Sequence, residues 1–223
     1  MRCEEYKREV AEVLKGFSPQ LRVIASSHLN LIKEILPWTR DQPLLTKKVC
    51  QLLIEFESQI QAGEEAEKVE KLVQNHLIDN CQDSEVVEHL KEIGDRLLQN
   101  PDCDPFWLLR SYQQIWHQGQ VDKHDIPEHL ELLKLGLVDQ KENKLIICNK
   151  IYKNFFNMKW AEEKLIFLRP YANKIITWLD SNCQDKSQLL KGEELKIALE
   201  LASMNKSLKE QESDFLIESM IWN

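Results

Sequence analysis

Glycine is scarce in this 223-residue chain, and where it falls excludes a nucleotide-binding core. The six glycines (Gly16, Gly63, Gly94, Gly119, Gly136 and Gly192) are so dispersed that the closest two lie 17 positions apart. A P-loop needs a glycine, four residues and then Gly-Lys-Ser/Thr, so that bare backbone N–H groups can wrap phosphates. The dinucleotide fingerprint needs three glycines within six positions, for a tight turn and close approach to a pyrophosphate. Neither pattern can be placed anywhere in the chain.

Metal-site spacing is also missing. Cys3, Cys50, Cys81, Cys103, Cys148 and Cys183 have no pair closer than 22 residues. Zinc sites usually draw two corners of the tetrahedron from one short turn. The nearest histidines, His124 and His129, lack a matching pair. No metal or other cofactor is expected, and Cys50 and Cys148, in apolar surroundings, read as small core residues. No apolar run approaches the roughly 20 residues that span a bilayer. The first ten residues are charged where a signal peptide would be apolar, so a cytoplasmic location is expected. Basic excess is absent as well: 13 Lys and Arg face 18 Asp and Glu in the first 100 residues, and 16 face 19 in the remainder. There is no basic tail to hold nucleic acid by counterion release.

What is present is an ordinary globular composition, 43% hydrophobic and 30% charged, arranged with helical periodicity. Glu4 to Lys15 sets Tyr6, Val10, Val13 and Leu14 on one face, and Gly16 to Pro19 breaks it. Ser26-Ser27 offers an N-cap for a helix from His28 to Leu36 that Pro37 stops. Pro43 suits the first position of a helix to about Gln61, and further helices run from Glu64 to Ile78 and, capped by Ser84, to Leu98. Phe106 to Gln118 is helical and aromatic-rich, Val121 to Asp125 is irregular, and Pro127 opens a helix to about Lys134. Leu137-Val138, a polar turn at Lys141 to Asn143 and Leu145 to Cys148 read as a hairpin, the one good strand signal. Helix, helix, helix, hairpin is the order of a winged helix. Asn149 leads another helix, a long amphipathic one spans Ala161 to Leu179, and one runs from about Gln188 to Met204. Ser207 with Glu210 forms a capping box for the last, which ends near Met220. The expected fold is mainly α: a helical N-terminal subdomain (1–78), which a family resemblance makes lid-like, a winged-helix domain with one small β-hairpin (84–157) and a C-terminal helical arm (158–223). Asn80-Cys81-Gln82-Asp83 recurs as Asn182-Cys183-Gln184-Asp185, but the flanks do not match, so two similar turns are favoured over a duplication.

The block Ile35 to Leu53, ILPWTRDQPLLTKKVCQLL, carries Trp38-Thr39, then Gln42-Pro43, then Lys48-Val49-Cys50. It resembles the lid of the AAA-like ATPases of cyanobacterial signalling proteins, members of the STAND group of switch NTPases. The likeness continues through Glu88-His89-Leu90, Asp95-Arg96-Leu97-Leu98, Asn149-Lys150-Ile151-Tyr152, Leu168-Arg169-Pro170-Tyr171-Ala172 and Leu189-Leu190-Lys191-Gly192. It covers about Ile35 to Met220. The resemblance implies a lid proline against adenine, by position Pro43, and a phosphate sensor at the end of the hairpin, by position Asn149. Family glycines before Gln-Pro are here Arg40 and Asp41. Glycine would permit positive φ there, and Arg and Asp are expected to refuse it. With no P-loop lysine to hold a triphosphate, Pro43 reads first as a helix-opening proline and both residues as vestigial contacts.

Catalysis is not expected, since no nucleophile, base and oxyanion donors form a constellation. The alternative of a nucleic-acid-binding winged helix meets an obstacle in the helix Pro127 to Lys134, which carries Glu128 and Glu131 against Lys134. In its favour, Lys141, Lys144, Lys150, Lys153 and Lys159 make a basic edge, of which Lys150 and Lys153 are candidate contacts for any partner. Most aromatics between Trp107 and Trp178 are expected in the core. Ile221 and Trp222, hard to bury at the end of a helix, are candidates for an interface. The expected function is a non-catalytic regulatory or protein-interaction module derived from a STAND/AAA-like ATPase. Its partner is expected to be a protein, such as a full-length AAA-like relative, rather than nucleic acid or membrane.

Overall fold

The computed structural model describes residues 29–40, 42–56, 63–204 and 208–222. The helix expected over Glu4 to Lys15, the Ser26-Ser27 cap, Asp41 and the Ser207 half of the capping box lie outside them. The architecture is mainly α-helical with a small antiparallel sheet.

Among the described residues the first three helices are α1 (Leu29–Thr39), α2 (Pro43–Glu55) and α3 (Glu65–Val73), the last continuing into a π-helical turn, Gln74–Asp79. Helix α1 does not stop at Pro37 but runs through it. Pro37 lies on the exposed side of the last turn, where a lost N–H costs little, and the Arg40 N–H still reaches the Leu36 carbonyl at 2.7 Å. Leu31, Ile35, Trp38, Leu45, Val49, Val69 and Val73 close a core between the three helices.

The central elements are α4 (Ser84–Leu98), α5 (Pro105–Gln118), β1 (Gln120–Asp122), α6 (Pro127–Lys134), β2 (Val138–Lys141) and β3 (Lys144–Ile147), the three helices and the hairpin in the order expected from the sequence and β1 an addition to it. Asp83, not Ser84, caps α4, its carboxylate accepting from the Glu85 and Val86 N–H groups. The irregular stretch after Gly119 begins as a third strand. β1 pairs with β3, Val121 opposite Leu145, and β2 pairs with the other edge of β3, Val138 opposite Ile147. Helix α5 is the axis of the molecule, with Phe106, Leu108, Leu109, Tyr112 and Ile115 fully buried. The buried Tyr112 hydroxyl is spent on the Phe156 carbonyl at 3.0 Å.

Helix α7 (Lys150–Phe155) leads out of the sheet, and α8 (Met158–Leu168) lies along α5. The amphipathic stretch to Leu179 is two helices, α8 and α9 (Ala172–Asp180). Pro170 forces Arg169 into extended backbone (φ −139°, ψ 106°), which ends α8. A 3-10 turn, Lys186–Gln188, precedes α10 (Gly192–Met204), so this helix begins at Gly192 rather than Gln188. Helix α11 (Glu210–Trp222) packs on α9 and α10. The two Asn-Cys-Gln-Asp words fold differently. Asn182 and Cys183 are left-handed (φ 54° and 63°), whereas Asn80 has a negative φ (−134°, ψ 49°).

Candidate functional site

The lid-like block is built around the end of α1. Thr39 ends the helix, its hydroxyl donating to the Ile35 carbonyl at 3.3 Å and lying 2.9 Å from the Thr46 hydroxyl on α2. Arg40 then takes a positive φ of 38°, and the Gln42 N–H returns to the Arg40 carbonyl at 2.7 Å. The expectation that arginine would refuse this conformation is therefore wrong. A non-glycine left-handed residue costs about 1–2 kcal/mol, and the Arg40–Asp139 ion pair, half exposed, returns at most about 1. The remainder must come from the burial of Trp38 and Thr39 on one side of the turn and Leu45 and Thr46 on the other. Pro43 opens α2 behind Gln42 and faces solvent.

Across from this turn stands the start of α7. Asn149 is 4% exposed; its Oδ1 accepts from the Tyr152 N–H at 2.8 Å and its Nδ2 points to the Thr39 carbonyl at 3.5 Å. Both ends of the amide thus face protein. Lys150 lies over the Trp38 ring at 4.8 Å, and Arg40 reaches Asp139 on β2. The residues inferred as nucleotide contacts are therefore drawn toward one joint between the N-terminal helices and the sheet. Asn149 serves it as a helix cap and Pro43 as a helix start. The next turn continues the pattern: Lys153 covers Trp116 at 5.1 Å while the Trp116 N–H donates to the Lys153 carbonyl at 2.8 Å. Lys144 pairs with Asp122 at 2.8 Å. The basic edge is thus partly spent on rings and a carboxylate.

Beside the joint, His89 Nε2 is 2.9 Å from the Tyr152 hydroxyl, and burial lowers the imidazole pKa. Lys48 sits between Asp83 (2.8 Å) and Glu85 (2.5 Å), and their hydrogen bonds raise its pKa. Lys48 and Asp83 edge an open groove of about 730 Å³ that is also lined by Gln51, Asn75, His76 and Gln82. Burial pushes the Cys50 thiol up to about 12, which leaves it inert at neutral pH. Among the described residues no group of three or more His, Cys, Asp or Glu is placed to hold a metal, and no helix is long and apolar enough to cross a membrane.

A second polar centre escaped the sequence reading. Arg169 Nε donates to Glu212 Oε1 at 2.7 Å, Arg169 Nη2 to Asp104 Oδ2 at 2.8 Å, and the Tyr171 hydroxyl to the same Glu212 oxygen at 2.5 Å. Burial opposes the charge on Arg169, but the Glu212 and Asp104 carboxylates outweigh it and raise the guanidinium pKa. Lys209 lies 2.5 Å from Glu128 Oε1 and over the Trp107 ring at 5.4 Å. Helix α11 is thereby pinned to the first turns of α5 and α6. The signal was a charge inside each apolar pattern, Arg169 before Pro170 and Glu212 on the inward stripe of α11. At the far end of that helix Trp222 is half exposed with Lys186 over its ring at 4.8 Å, and Ile221 is 74% exposed.

No family model matches the chain, and no solved structure matches it. It is similar to an uncharacterized WD repeat-containing protein of the cyanobacterium Synechocystis sp., 36% identical over 190 residues. That match takes in 83% of this chain but 16% of the relative, so the chain spans about one sixth of the longer protein.

Proposed function

We propose that this chain is a non-catalytic regulatory or protein-interaction module descended from a STAND/AAA-like ATPase, with a lid (to about residue 78), a winged helix (84–157) and a helical arm (158–223). The observation that carries the reading is the joint between Thr39-Arg40 and Asp139-Asn149-Lys150. Where a nucleotide-dependent relative would offer free donors to phosphate, Arg40 is paired with Asp139, the Asn149 amide faces the Thr39 backbone carbonyl and Lys150 lies over the Trp38 ring. With no P-loop in the sequence, the lid has become a structural seam. The likeness to one sixth of a cyanobacterial WD repeat-containing protein supports a part that works beside other modules through protein contacts, and the resemblance of this chain's sequence to STAND proteins suggests a signalling setting. It acts on a full-length relative or as a scaffold.

Titration calorimetry of the full chain with Mg-ATP and Mg-ADP tests the reading. No heat of binding is expected at millimolar nucleotide. Saturable binding, abolished by Asn149→Ala, would overturn it. Salt-dependent capture of duplex DNA, lost in the double variant Lys150→Glu/Lys153→Glu, would instead place the chain among nucleic-acid-binding proteins.

A further inference from the structure

Helix α11 is apolar on two faces. Its inner face carries Phe215 and Leu216, with Phe215 against the rings of Tyr171 and Trp178 and Ser219 accepting the Leu190 N–H. At 100° per residue the opposite face brings Glu210, Asp214, Ile217 and Ile221 into one stripe, with Glu218 beside it. Ile217 is 48% and Ile221 74% exposed. A helix with large aliphatic residues on opposite faces is normally covered on both.

The charges say what covers it. Every ionisable residue of α11 is acidic, and Glu212 is already spent on Arg169. Glu210, Asp214 and Glu218 make no ion pair among the described residues. They stand at i, i+4 and i+8, so each neighbouring pair repels, and Glu218 sits toward the negative end of the helix dipole. Lys209, the nearest cation in sequence, leans away to Glu128. An uncompensated acidic ladder flanking two exposed isoleucines complements one kind of surface.

We propose that the outer face of α11 docks a basic amphipathic helix of a partner protein, its apolar stripe on Ile217 and Ile221 and its Lys or Arg flanks on Glu210, Asp214 and Glu218. The inference rests on the reading of the chain as a protein-interaction module and adds the surface and the partner's chemistry. A second copy of this face would bring acid against acid, and an anionic membrane or nucleic acid would be repelled. The N-terminal stretch Glu4 to Lys15, with four acids against three basic residues, does not supply the missing positive charge.

The test uses the full chain and two labelled probes of equal length: a peptide with leucines at i, i+3, i+4 and i+7 and lysines elsewhere, and its glutamate counterpart. Fluorescence anisotropy is expected to show binding of the lysine peptide and none of the glutamate peptide. Ile217→Asp with Ile221→Asp should weaken binding about tenfold or more, since the apolar stripe supplies most of the affinity. The triple reversal Glu210→Lys, Asp214→Lys and Glu218→Lys should switch preference to the glutamate peptide. Reversal of the exposed pair Glu162 and Glu163 to Lys on α8 should change nothing, and circular dichroism confirms that each variant folds. Equal loss from the α8 reversal, unchanged binding by the isoleucine variant, or self-association through α11 that the isoleucine variant abolishes would each overturn the proposal. Failure here with the nucleotide result still null removes this surface and leaves the module reading intact; nucleotide binding does the reverse.

Discussion

Replacing Arg169 by methionine probes how the arm is held to the rest of the molecule. Arg169 is 7% exposed and makes charge-assisted bonds to two carboxylates on different elements, Glu212 on α11 and Asp104 at the start of α5. Methionine fills much of the stem but removes the guanidinium. Glu212, fully buried, is then left with the Tyr171 hydroxyl alone, and one of its oxygens is already without a partner. Removing one member of a buried pair costs about 3–5 kcal/mol, because the other charge stays desolvated. For a chain of this size each kcal/mol shifts the melting midpoint by roughly 2–4 °C, so Arg169→Met should melt about 6–20 °C lower. The double variant Arg169→Met/Glu212→Met should recover most of that loss, since apolar replacement of a whole pair is often neutral. Thermal melts followed by circular dichroism give the magnitude, and amide exchange locates it: protection should fall first in α11. A single variant melting within about 2 °C of the parent, or a double variant whose loss is the sum of the two singles, would refute the argument.

Three further outcomes are expected. Asn149→Ala removes the α7 cap and the amide facing Thr39, and should cost about 1–2 kcal/mol in urea unfolding at an unchanged m-value. His89 is held neutral by burial, its folded pKa below the ordinary 6.5. Its contribution is complete above pH 6.5 and is lost as pH falls from there toward the folded value, where the unfolded chain takes the proton first. The melting midpoint should therefore drop between pH 7 and pH 5. His89→Phe should flatten part of that slope, with His129, shifted the same way, supplying the rest. Cys50, its thiol pushed up to about 12, should resist maleimide while exposed Cys183 reacts quickly; peptide mapping after brief labelling at pH 7 checks the order.

Local chemistry made much of the architecture legible. Pro43, Pro105 and Pro127 open helices because a first-turn residue needs no donor, and Gly119 and Gly136 follow helix ends with positive φ. The β2–β3 turn shows in Lys141 to Asn143 between two apolar runs, with Glu142 left-handed at its tip. Of the aromatics, Trp107, Tyr112, Tyr152, Phe156 and Trp178 are core, as their spacing implied, while Phe155 stays exposed. The β1 strand was not legible. Gln120-Val121-Asp122 has little strand propensity and is extended because β3 offers an unpaired edge. The division at Arg169 was legible in principle, since the residue before a proline avoids helix, but apolar spacing on either side of it continued the wrong pattern.

At the candidate site the division is sharper. Sequence alone determined that no P-loop or close-spaced zinc motif can be written here, because those chemistries demand particular residues at short spacing. It also named Pro43, Asn149, Ile221 and Trp222 as residues with something to explain. Tertiary structure decided what they do. Asn149 and Thr39 are 110 positions apart, and only packing of α1 on α7 sets the Asn149 amide against the Thr39 carbonyl. Arg40 takes a glycine-like φ because the turn is buried on both sides. Glu212 and Glu218 belong to one short acidic helix, yet one is neutralised by Arg169 and the other left to solvent. Which acid is which depends on the face α11 presents to α9, set by contacts between residues distant in sequence and invisible to any local pattern.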